Sequence, residues 1–263
     1  EGTLLKTRVI SAAVMITAVV ACFAISPITR TLFLLAVIIV AVRETCNVIK
    51  LKDVNCAPWV LYIFSAASVA AIFFGADSVV TEALFFLAVF AAMTAGVTCS
   101  RVRGPGALAT LAVLVYPIVP MLIITKLSLM ENWLPIFAIG CISTWVCDSF
   151  CLFGGKAFGK HKLSPAVSPN KTIEGSVCGA LSSVVTGLIL SFFIDVPLLW
   201  CMVTALVCSS LGQVGDLAAS LLKRMAGVKD YSNLIPGHGG AMDRIDSLLF
   251  SVPSAYFCLL LFK

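Results

Sequence analysis

Long apolar segments constrain the fold of this chain more than any other feature. A helix needs roughly 20 apolar residues to cross about 30 Å of hydrocarbon, and nine segments of the 263-residue sequence approach or meet that length. With 60% of the residues hydrophobic and only 12% charged, the composition lies outside the range of soluble globular domains. The sequence therefore predicts an all-α, polytopic integral membrane protein with about nine transmembrane helices. The predicted spans are residues 4–25, 27–46, 58–75, 78–96, 107–127, 133–153, 173–194, 197–222 and 242–262.

The segments between these spans are short. None is long and polar enough to form a separate soluble domain, so we expect a single integral membrane domain over residues 1–263. Residues 1–127 carry little internal charge and are expected to be mainly scaffold. Residues 133–263 hold most of the acids that lie within or beside spans, and they are expected to be the catalytic half. The first segment is expected to be a retained helix, because its apolar stretch is longer than that of a signal peptide.

The distribution of basic residues predicts an orientation. With nine spans, the N-terminus and every second loop lie on the same side of the membrane, and fifteen of the eighteen Lys and Arg residues fall there. Only Arg30, Lys126 and Lys263 fall on the opposite side. Because basic residues concentrate in cytoplasmic loops, we expect a cytoplasmic N-terminus and a C-terminus on the outer side.

Residues 220–246 form the most polar segment, SLLKRMAGVKDYSNLIPGHGGAMDRID. This segment brings three acids, four bases and a histidine next to apolar sequence. An ionised side chain at the bilayer centre costs about 2.5–3.5 kcal/mol on insertion scales. Charges are therefore expected in such a chain only where structure or chemistry requires them, and this segment is the leading candidate for an active site on the cytoplasmic side.

Four carboxylates lie near the predicted inner ends of three spans. Asp148 is near the end of the sixth span, Asp216 lies within the eighth, and Asp243 and Asp246 open the ninth. The i, i+3 spacing of the last two predicts that they share one helix face. Converging acids need a cation, and Mg²⁺ typically binds one or two carboxylates together with water and substrate phosphates. The alternative is that each acid pairs with a nearby base such as Lys223.

Two loops combine glycines with basic residues, a composition suited to a polyphosphate. Glycines allow backbone N–H groups to approach an anion closely, and the bases neutralise it. The alternative is that the bases lie among anionic lipid headgroups. His238 lies between two glycines and is expected to donate to phosphate or to position the loop. The residues are Lys156, Lys160, His161, Lys162 and Lys171 in one loop, and Lys223, Arg224, Lys229 and the 237–240 turn in the other.

The segment from Ser220 to Asp246 resembles the signature of the bacterial phosphatidate cytidylyltransferases (CDP-diacylglycerol synthases), S-x-x-K-R, then K-D, then P-G-H-G-G-x-x-D-R-x-D. A second block, residues 148–175, agrees through G-G-K-A-F-G-K and S-P-N-K-T-I-E-G, and Gly-Asp-Leu at 215–217 agrees as well. Cys151, Leu152 and Ala241 depart from the family pattern, which concerns packing and substrate preference more than the charges. In the N-terminal half only the hydropathy and a basic start are similar.

The resemblance implies a magnesium-dependent nucleotidyltransferase of phospholipid biosynthesis. It would condense phosphatidic acid with CTP to give CDP-diacylglycerol and pyrophosphate at the inner face of a bacterial plasma membrane. It also implies contact with membrane lipids, no nucleic-acid partner and a homodimer; a second cation stays open. The implied catalytic residues are Asp216, Asp243, Asp246 and Lys223, the first three as metal ligands, and the implied substrate-binding residues are Lys171, Arg224, Lys229, His238, Gly239, Gly240, Arg244 and Asp148.

Two other functions stay open at this point. A CTP-dependent polyprenol or lipid kinase would use the same nucleotide but would release CDP instead of pyrophosphate. An ion-coupled transporter would use the acids as an ion pathway, although such sites usually lie at mid-membrane between repeated halves, and no repeat is visible here. A CDP-alcohol phosphotransferase is discounted, because its D-G-x-x-A-R block does not occur in this sequence.

Overall fold

The computed structural model describes residues 2–261, and the side chains of all of these except residues 2–7 and 259. Lys263 and the side chain of Lys6, which both enter the predicted charge distribution, lie outside this description. The chain forms two compact units. The first unit is built from the residues up to 129 together with 225–244, and the second from 130–224 together with the residues from 245 onwards.

Helices dominate both units. Among the described residues, seven helical segments are long and apolar enough to cross a membrane: Arg8–Ile25, Pro27–Lys50, Ser78–Thr98, Arg103–Ser128, Trp133–Phe158, Ile173–Leu190 and Leu198–Ala226. The other two predicted spans correspond to the shorter helices Pro58–Phe73 and Leu248–Leu261. The chain is thus a helical, polytopic membrane protein, while the count of nine spans and the orientation of the termini stay predictions.

The first unit is organised around its second helix. Helix α2 contacts α1, α3, α5 and α6, and its residues Ile38, Ala41 and Val42 are fully buried. The turn before α2 is specified locally, because Ser26 Oγ accepts from Thr29 N at 3.1 Å and Thr29 Oγ1 accepts from Ser26 N at 3.1 Å. This reciprocal capping box ends α1 and starts α2. The helices are α1 (Gly2–Ile25), α2 (Pro27–Lys50), α3 (Pro58–Phe73), α4 (Ser78–Thr98), α5 (Arg103–Val113) and α6 (Val119–Ser128).

The fifth predicted span is not one regular helix. A π-helical segment, Leu114–Ile118, separates α5 from α6, and Tyr116 within it has non-helical angles of φ −137° and ψ 112°. Pro117 explains the break, because proline lacks a backbone N–H and disfavours the α conformation at the residue before it. The prediction of a continuous helix over 107–127 is therefore corrected to two helices joined at this kink.

The second unit is a bundle whose helices approach closely at glycines. A Cβ on Gly175 of α8 would lie 2.6 Å from the Cys151 carbonyl of α7, and a Cβ on Gly187 would lie 2.6 Å from the Cys201 carbonyl of α9. Small residues at such crossings let membrane helices pack backbone to backbone. The elements are α7 (Trp133–Phe158), β1 (Lys162–Ser164), β2 (Ser168–Thr172), α8 (Ile173–Leu190), α9 (Leu198–Ala226) and α11 (Leu248–Leu261). The short helix α10 (Met242–Ile245) precedes α11 in the chain, and its first three residues belong to the first unit.

A short β-hairpin is the exception to the predicted all-α fold. Strands β1 and β2 pair antiparallel, with Lys162 opposite Thr172 and Ser164 opposite Ser168. The sequence predicted only a basic loop here. Thr172 ends the hairpin and caps α8, since its Oγ1 accepts from Gly175 N at 3.1 Å. The hairpin therefore delivers Lys171 to the start of α8.

The ninth predicted span is also divided. Helix α10 ends at Ile245, Asp246 and Ser247 form a turn, and α11 begins at Leu248. Ser247 N donates to Asp246 Oδ1 at 2.8 Å, and such local bonds from Asp to the backbone compete with continuation of a helix. The prediction of one span over 242–262 is therefore corrected to two helices, with Asp246 in the turn between them.

Candidate active site

The second unit contains a cavity of about 490 Å³ that we call the carboxylate pocket. Three of the predicted site residues, Asp148, Lys171 and Asp216, face this cavity together. They come from α7, β2 and α9, so residues far apart in sequence meet at one place. The remaining lining residues are Cys151, Leu152, Gly155, Lys156, Leu163, Asn170, Thr172, Ser176 and Gln213.

An ion pair forms the centre of the carboxylate pocket. Lys171 Nζ donates to Asp216 Oδ2, and the two side chains are 28% and 29% exposed, respectively. Ser220 Oγ, one helical turn further along α9, lies 3.4 Å from Asp216 Oδ1. The carboxylates of Asp148 and Asp216 repel each other, and the ammonium group of Lys171 offsets this repulsion. The partly exposed pair leaves the ammonium group and the carboxylate accessible to a ligand in the cavity.

Uncharged polar groups complete one wall of the carboxylate pocket. Ser176 Oγ on α8 donates to Gln213 Oε1 on α9, and Gln213 Nε2 lies 3.4 Å from the Ser176 carbonyl. Gln213 precedes Asp216 by three residues, so both occupy the same face of α9. Sequence reasoning missed Ser176, Gln213 and Asn170, because it followed charges. A glutamine inside an apolar span was the signal that would have pointed to this wall.

Glu174 fixes the chain where it enters the hairpin. Its carboxylate accepts from Lys160 N at 3.1 Å and from His161 N at 3.2 Å, and it lies 2.6 Å from His161 Nδ1. Ile173 N also donates to His161 O at 2.9 Å. These contacts close the 160–174 segment on itself and so hold Lys171 beside α9.

The remaining predicted residues of the second unit lie outside the lining of this pocket. Arg224 Nε donates to Val167 O at 3.3 Å, so it supports the hairpin turn. Lys223 and Asp246 are 8% and 9% exposed. Close packing holds the Asp246 backbone against α9, because a Cβ on Gly215 would lie 2.6 Å from the Asp246 carbonyl.

We call residues 229–244 the signature loop. Together with Arg8, residues of this loop line a polar cavity of about 650 Å³ in the first unit. Four predicted substrate-binding residues, Lys229, His238, Gly239 and Arg244, line this signature-loop pocket together. Arg8 of α1 also lines it and was not among the predicted site residues. The other lining residues are Asp230, Asn233, Ile235, Pro236 and Gly237.

Backbone contacts shape the tip of the signature loop. Ile235 N donates to Gly239 O at 2.8 Å, and His238 N donates to Ile235 O at 2.9 Å. Gly237 and Gly239 have φ values of +75° and +80°, a region that favours glycine. Ser11 of α1 lies 2.9 Å from His238 Nδ1 through its Oγ. The glycines of the P-G-H-G-G motif therefore serve a tight turn that presents His238.

Asp243 closes the base of the signature loop. Its Oδ2 accepts from Tyr231 N at 2.8 Å and from Gly240 N at 2.9 Å, and the side chain is 9% exposed. The N–H of Gly240, which was expected to face phosphate, is thus directed to this carboxylate. One oxygen of a predicted metal ligand is engaged by the loop backbone.

Glu44 is a buried acid in contact with the signature loop that sequence reasoning missed. This residue of α2 is 4% exposed. Its Oε1 accepts from Ser232 Oγ and from Ala241 N at 3.0 Å, and its Oε2 accepts from Met242 N at 2.8 Å. A carboxylate inside a predicted span was the available signal, but it lay in the half that was expected to be scaffold.

The predicted magnesium ligands divide between the units, with Asp216 and Asp246 in the second and Asp243 in the first. Among the described residues, no group of three or more His, Cys, Asp or Glu side chains is arranged to hold a metal ion. The carboxylate pocket offers two carboxylates, from Asp148 and Asp216, with the side-chain oxygens of Asn170, Ser176 and Gln213 nearby. These are hard oxygen donors, and Mg²⁺ needs only one or two carboxylates when phosphates and water complete its shell. The donor chemistry therefore fits a magnesium–phosphate ligand.

The chain is similar to several proteins that share one name. Phosphatidate cytidylyltransferase of Bacillus subtilis is 44% identical over 125 residues, which cover 47% of this chain and 46% of that protein. The proteins of the same name from Staphylococcus haemolyticus and Staphylococcus aureus (strain COL) are 43% and 44% identical over 111 residues, covering 41% of this chain and 43% of each relative. The chain thus matches less than half the length of these relatives. A model of the cytidylyltransferase family matches residues 6–262, so the chain belongs to the cytidylyltransferase family.

Proposed function

We propose that this protein transfers the cytidylyl group of CTP to phosphatidic acid, giving CDP-diacylglycerol and pyrophosphate. The observation that carries the proposal is the meeting of Lys171, Asp216 and Asp148 in one cavity of about 490 Å³. Ion pairs open to a cavity suit a ligand that is itself charged. The relatives named phosphatidate cytidylyltransferase support the same reaction.

The reaction brings two anions together, and the chain provides the positive charge that this requires. An oxygen of the lipid phosphate attacks the α-phosphorus of CTP, the bond from that phosphorus to the bridging oxygen breaks, and pyrophosphate leaves. A phosphate monoester is already largely deprotonated at neutral pH, with a second pKa of about 6, so no strong general base is needed. Catalysis then consists mainly of positioning and charge neutralisation.

The two pockets supply different groups for these tasks. In the carboxylate pocket, Lys171 and Lys156 are the cations that face the cavity. We propose that Lys171 exchanges its bond to Asp216 for a substrate phosphate. In the signature-loop pocket, Lys229, Arg244 and His238 are the candidate phosphate contacts. The sequence signature assigns Lys223 and Arg224 to the same reaction.

Magnesium is proposed as the cofactor. The signature indicates Asp216, Asp243 and Asp246 as its ligands, and the donor chemistry around Asp216 supports that residue most directly. When bound, Mg²⁺ would neutralise phosphate charge and orient the nucleotide phosphates. Asp148 faces the same cavity and is proposed to act as an outer partner of this group.

We further propose that the protein acts in a bacterial plasma membrane with its site facing the cytoplasm. The predicted concentration of fifteen of eighteen bases on one side and the cytosolic source of CTP support this orientation. A homodimer is proposed from the family resemblance alone.

The test uses detergent-solubilised protein, phosphatidic acid, CTP labelled with ³²P at the α-position, and Mg²⁺, with and without EDTA. We expect label to enter the lipid fraction, pyrophosphate to be released, and EDTA to block both. If CDP accumulates on addition of a polyprenol while phosphatidic acid stays unlabelled, the protein is a lipid kinase instead. If folded protein gives neither signal, the proposed reaction is wrong and ion transport becomes the leading alternative.

A further inference from the structure

We infer that Glu44 is a positioning residue for the signature loop, acting through the loop backbone on the groups that line the signature-loop pocket. The inference rests on the proposed function, because it assigns the loop a part in the same reaction. It extends the site to α2, a helix that carries none of the signature residues.

The contacts of Glu44 are directed at both ends of the loop tip. Oε1 binds Ser232 on the incoming side and Ala241 N on the outgoing side, and Oε2 binds Met242 N. Residues 233–240, which include His238, lie between these attachment points. The shape of the intervening segment therefore depends on a carboxylate that itself lies outside the loop.

Burial makes these contacts obligatory. Glu44 is 4% exposed, and a carboxylate removed from water is tolerated only where hydrogen-bond donors replace the lost hydration. Bonds from N–H groups to an ionised acceptor are also stronger than those between neutral groups. Since the three donors come from the signature loop, α2 and the loop are held in one arrangement.

Gly240 provides an independent sign of this arrangement. A Cβ at this position would lie 2.7 Å from both carboxylate oxygens of Glu44, closer than a side chain permits. The last glycine of the G-H-G-G turn is thus needed so that the carboxylate can reach the backbone. Because Gly240 N also donates to Asp243, two carboxylates clamp the loop at this point.

The variant Glu44→Gln tests the inference. The amide nitrogen of glutamine is a donor, so one of the contacts to Ala241 N or Met242 N becomes a repulsive meeting of two donors. We expect kcat to fall by about ten- to hundredfold, the range associated with small displacements of reacting groups, and the KM for CTP to rise by about threefold or more. The matched control is Glu82→Gln, which removes one negative charge from an exposed position on α4 of the same unit.

Hydrogen exchange provides a readout that does not depend on activity. In Glu44→Gln we expect faster exchange of the amides of residues 231–243, while α3 and α4 exchange as in the wild type. Unchanged exchange in this loop would overturn the inference. So would kinetic constants within twofold of the wild type, measured at equal amounts of folded protein.

The two proposals can fail separately. If wild-type protein transfers no label to phosphatidic acid, the proposed function fails, and loop exchange in Glu44→Gln still decides whether Glu44 positions the loop. If Glu44→Gln does not fold in detergent, Ser232→Ala removes one of the same contacts. We then expect a loss in kcat/KM of about two- to tenfold, as for a single hydrogen bond, with faster exchange at 231–243; no change in either measurement would overturn the inference.

Discussion

The two polar pockets of this protein use acidic side chains in different ways. In the carboxylate pocket, Asp216 pairs with the side chain of Lys171, and both are partly exposed to the cavity. Asp243 of the signature loop and Glu44 of α2 are instead buried, and they accept hydrogen bonds mainly from backbone N–H groups of that loop. The first arrangement leaves charge available to a ligand, whereas the second uses charge to fix the path of the chain.

An acid within a sequence signature therefore need not act on the substrate. All four acids were grouped together by their sequence positions, yet Asp243 is engaged by its own loop. A side chain that binds another side chain can exchange its partner for a phosphate at little structural cost. A carboxylate that satisfies buried N–H groups cannot do so without leaving those groups unpaired.

The largest effect is expected from Asp216→Asn. The substitution keeps the shape of the side chain but removes the charge beside Lys171, so we expect kcat to fall by at least about a hundredfold, the scale for losing a preorganised electrostatic group. Because the side chain is 29% exposed, the melting temperature should change little. Labelled-CTP transfer and thermal unfolding in detergent measure the two quantities. Asp195→Asn, an exposed acid of the same unit, is the control and should retain activity.

Asp243→Ala should instead reduce stability. It leaves the N–H groups of Tyr231 and Gly240 without their acceptor, and an unsatisfied buried donor costs about 1–3 kcal/mol. For a chain of this size we expect the melting temperature to fall by about 5 °C or more. A variant that melts like the wild type would remove the distinction between the two pockets.

Lys171→Met tests whether the ion pair of the carboxylate pocket also serves the substrate. The change leaves Asp216 without its cation and removes a donor that faces the cavity. We expect kcat/KM for CTP to fall by about ten- to fiftyfold, as for the loss of a hydrogen bond to a charged group. Lys126→Met, an exposed base of the first unit, is the matched control. If both variants keep wild-type kinetics, Lys171 serves only to neutralise Asp216.

Arg8→Gln should give the smallest effect. Arg8 lines the signature-loop pocket but is exposed, and an exposed ionic contact is worth about 0.2–1 kcal/mol. We expect inhibition by pyrophosphate to weaken by about two- to fivefold while kcat stays unchanged. Inhibition constants equal to those of the wild type would exclude Arg8 from anion binding.

Hydropathy predicted the helical framework because each long apolar run can satisfy its backbone only as a helix in the membrane. The interruptions were harder to predict, since they depend on single residues. Pro117 divides the fifth span, and the turn at Asp246 and Ser247 divides the ninth. The hairpin that carries Lys171 lacked any apolar alternation, and its shape instead depends on Glu174.

The part of the candidate site that could be predicted from the sequence consists of charged residues. Asp148, Lys171 and Asp216 do meet in one cavity, as do Lys229 and Arg244 in another. Sequence spacing could not show which acids face a cavity and which are engaged by backbone. Glu44 was overlooked because its role arises from contact with a loop almost two hundred residues away in the chain.

The most direct test of this account is transfer of α-³²P label from CTP to phosphatidic acid by the wild type and Asp216→Asn, side by side at equal amounts of folded protein. We expect the wild type to label the lipid with release of pyrophosphate, and Asp216→Asn to do so at least about a hundredfold more slowly. If Asp216→Asn labels the lipid at the wild-type rate, the carboxylate pocket is not the centre of the reaction.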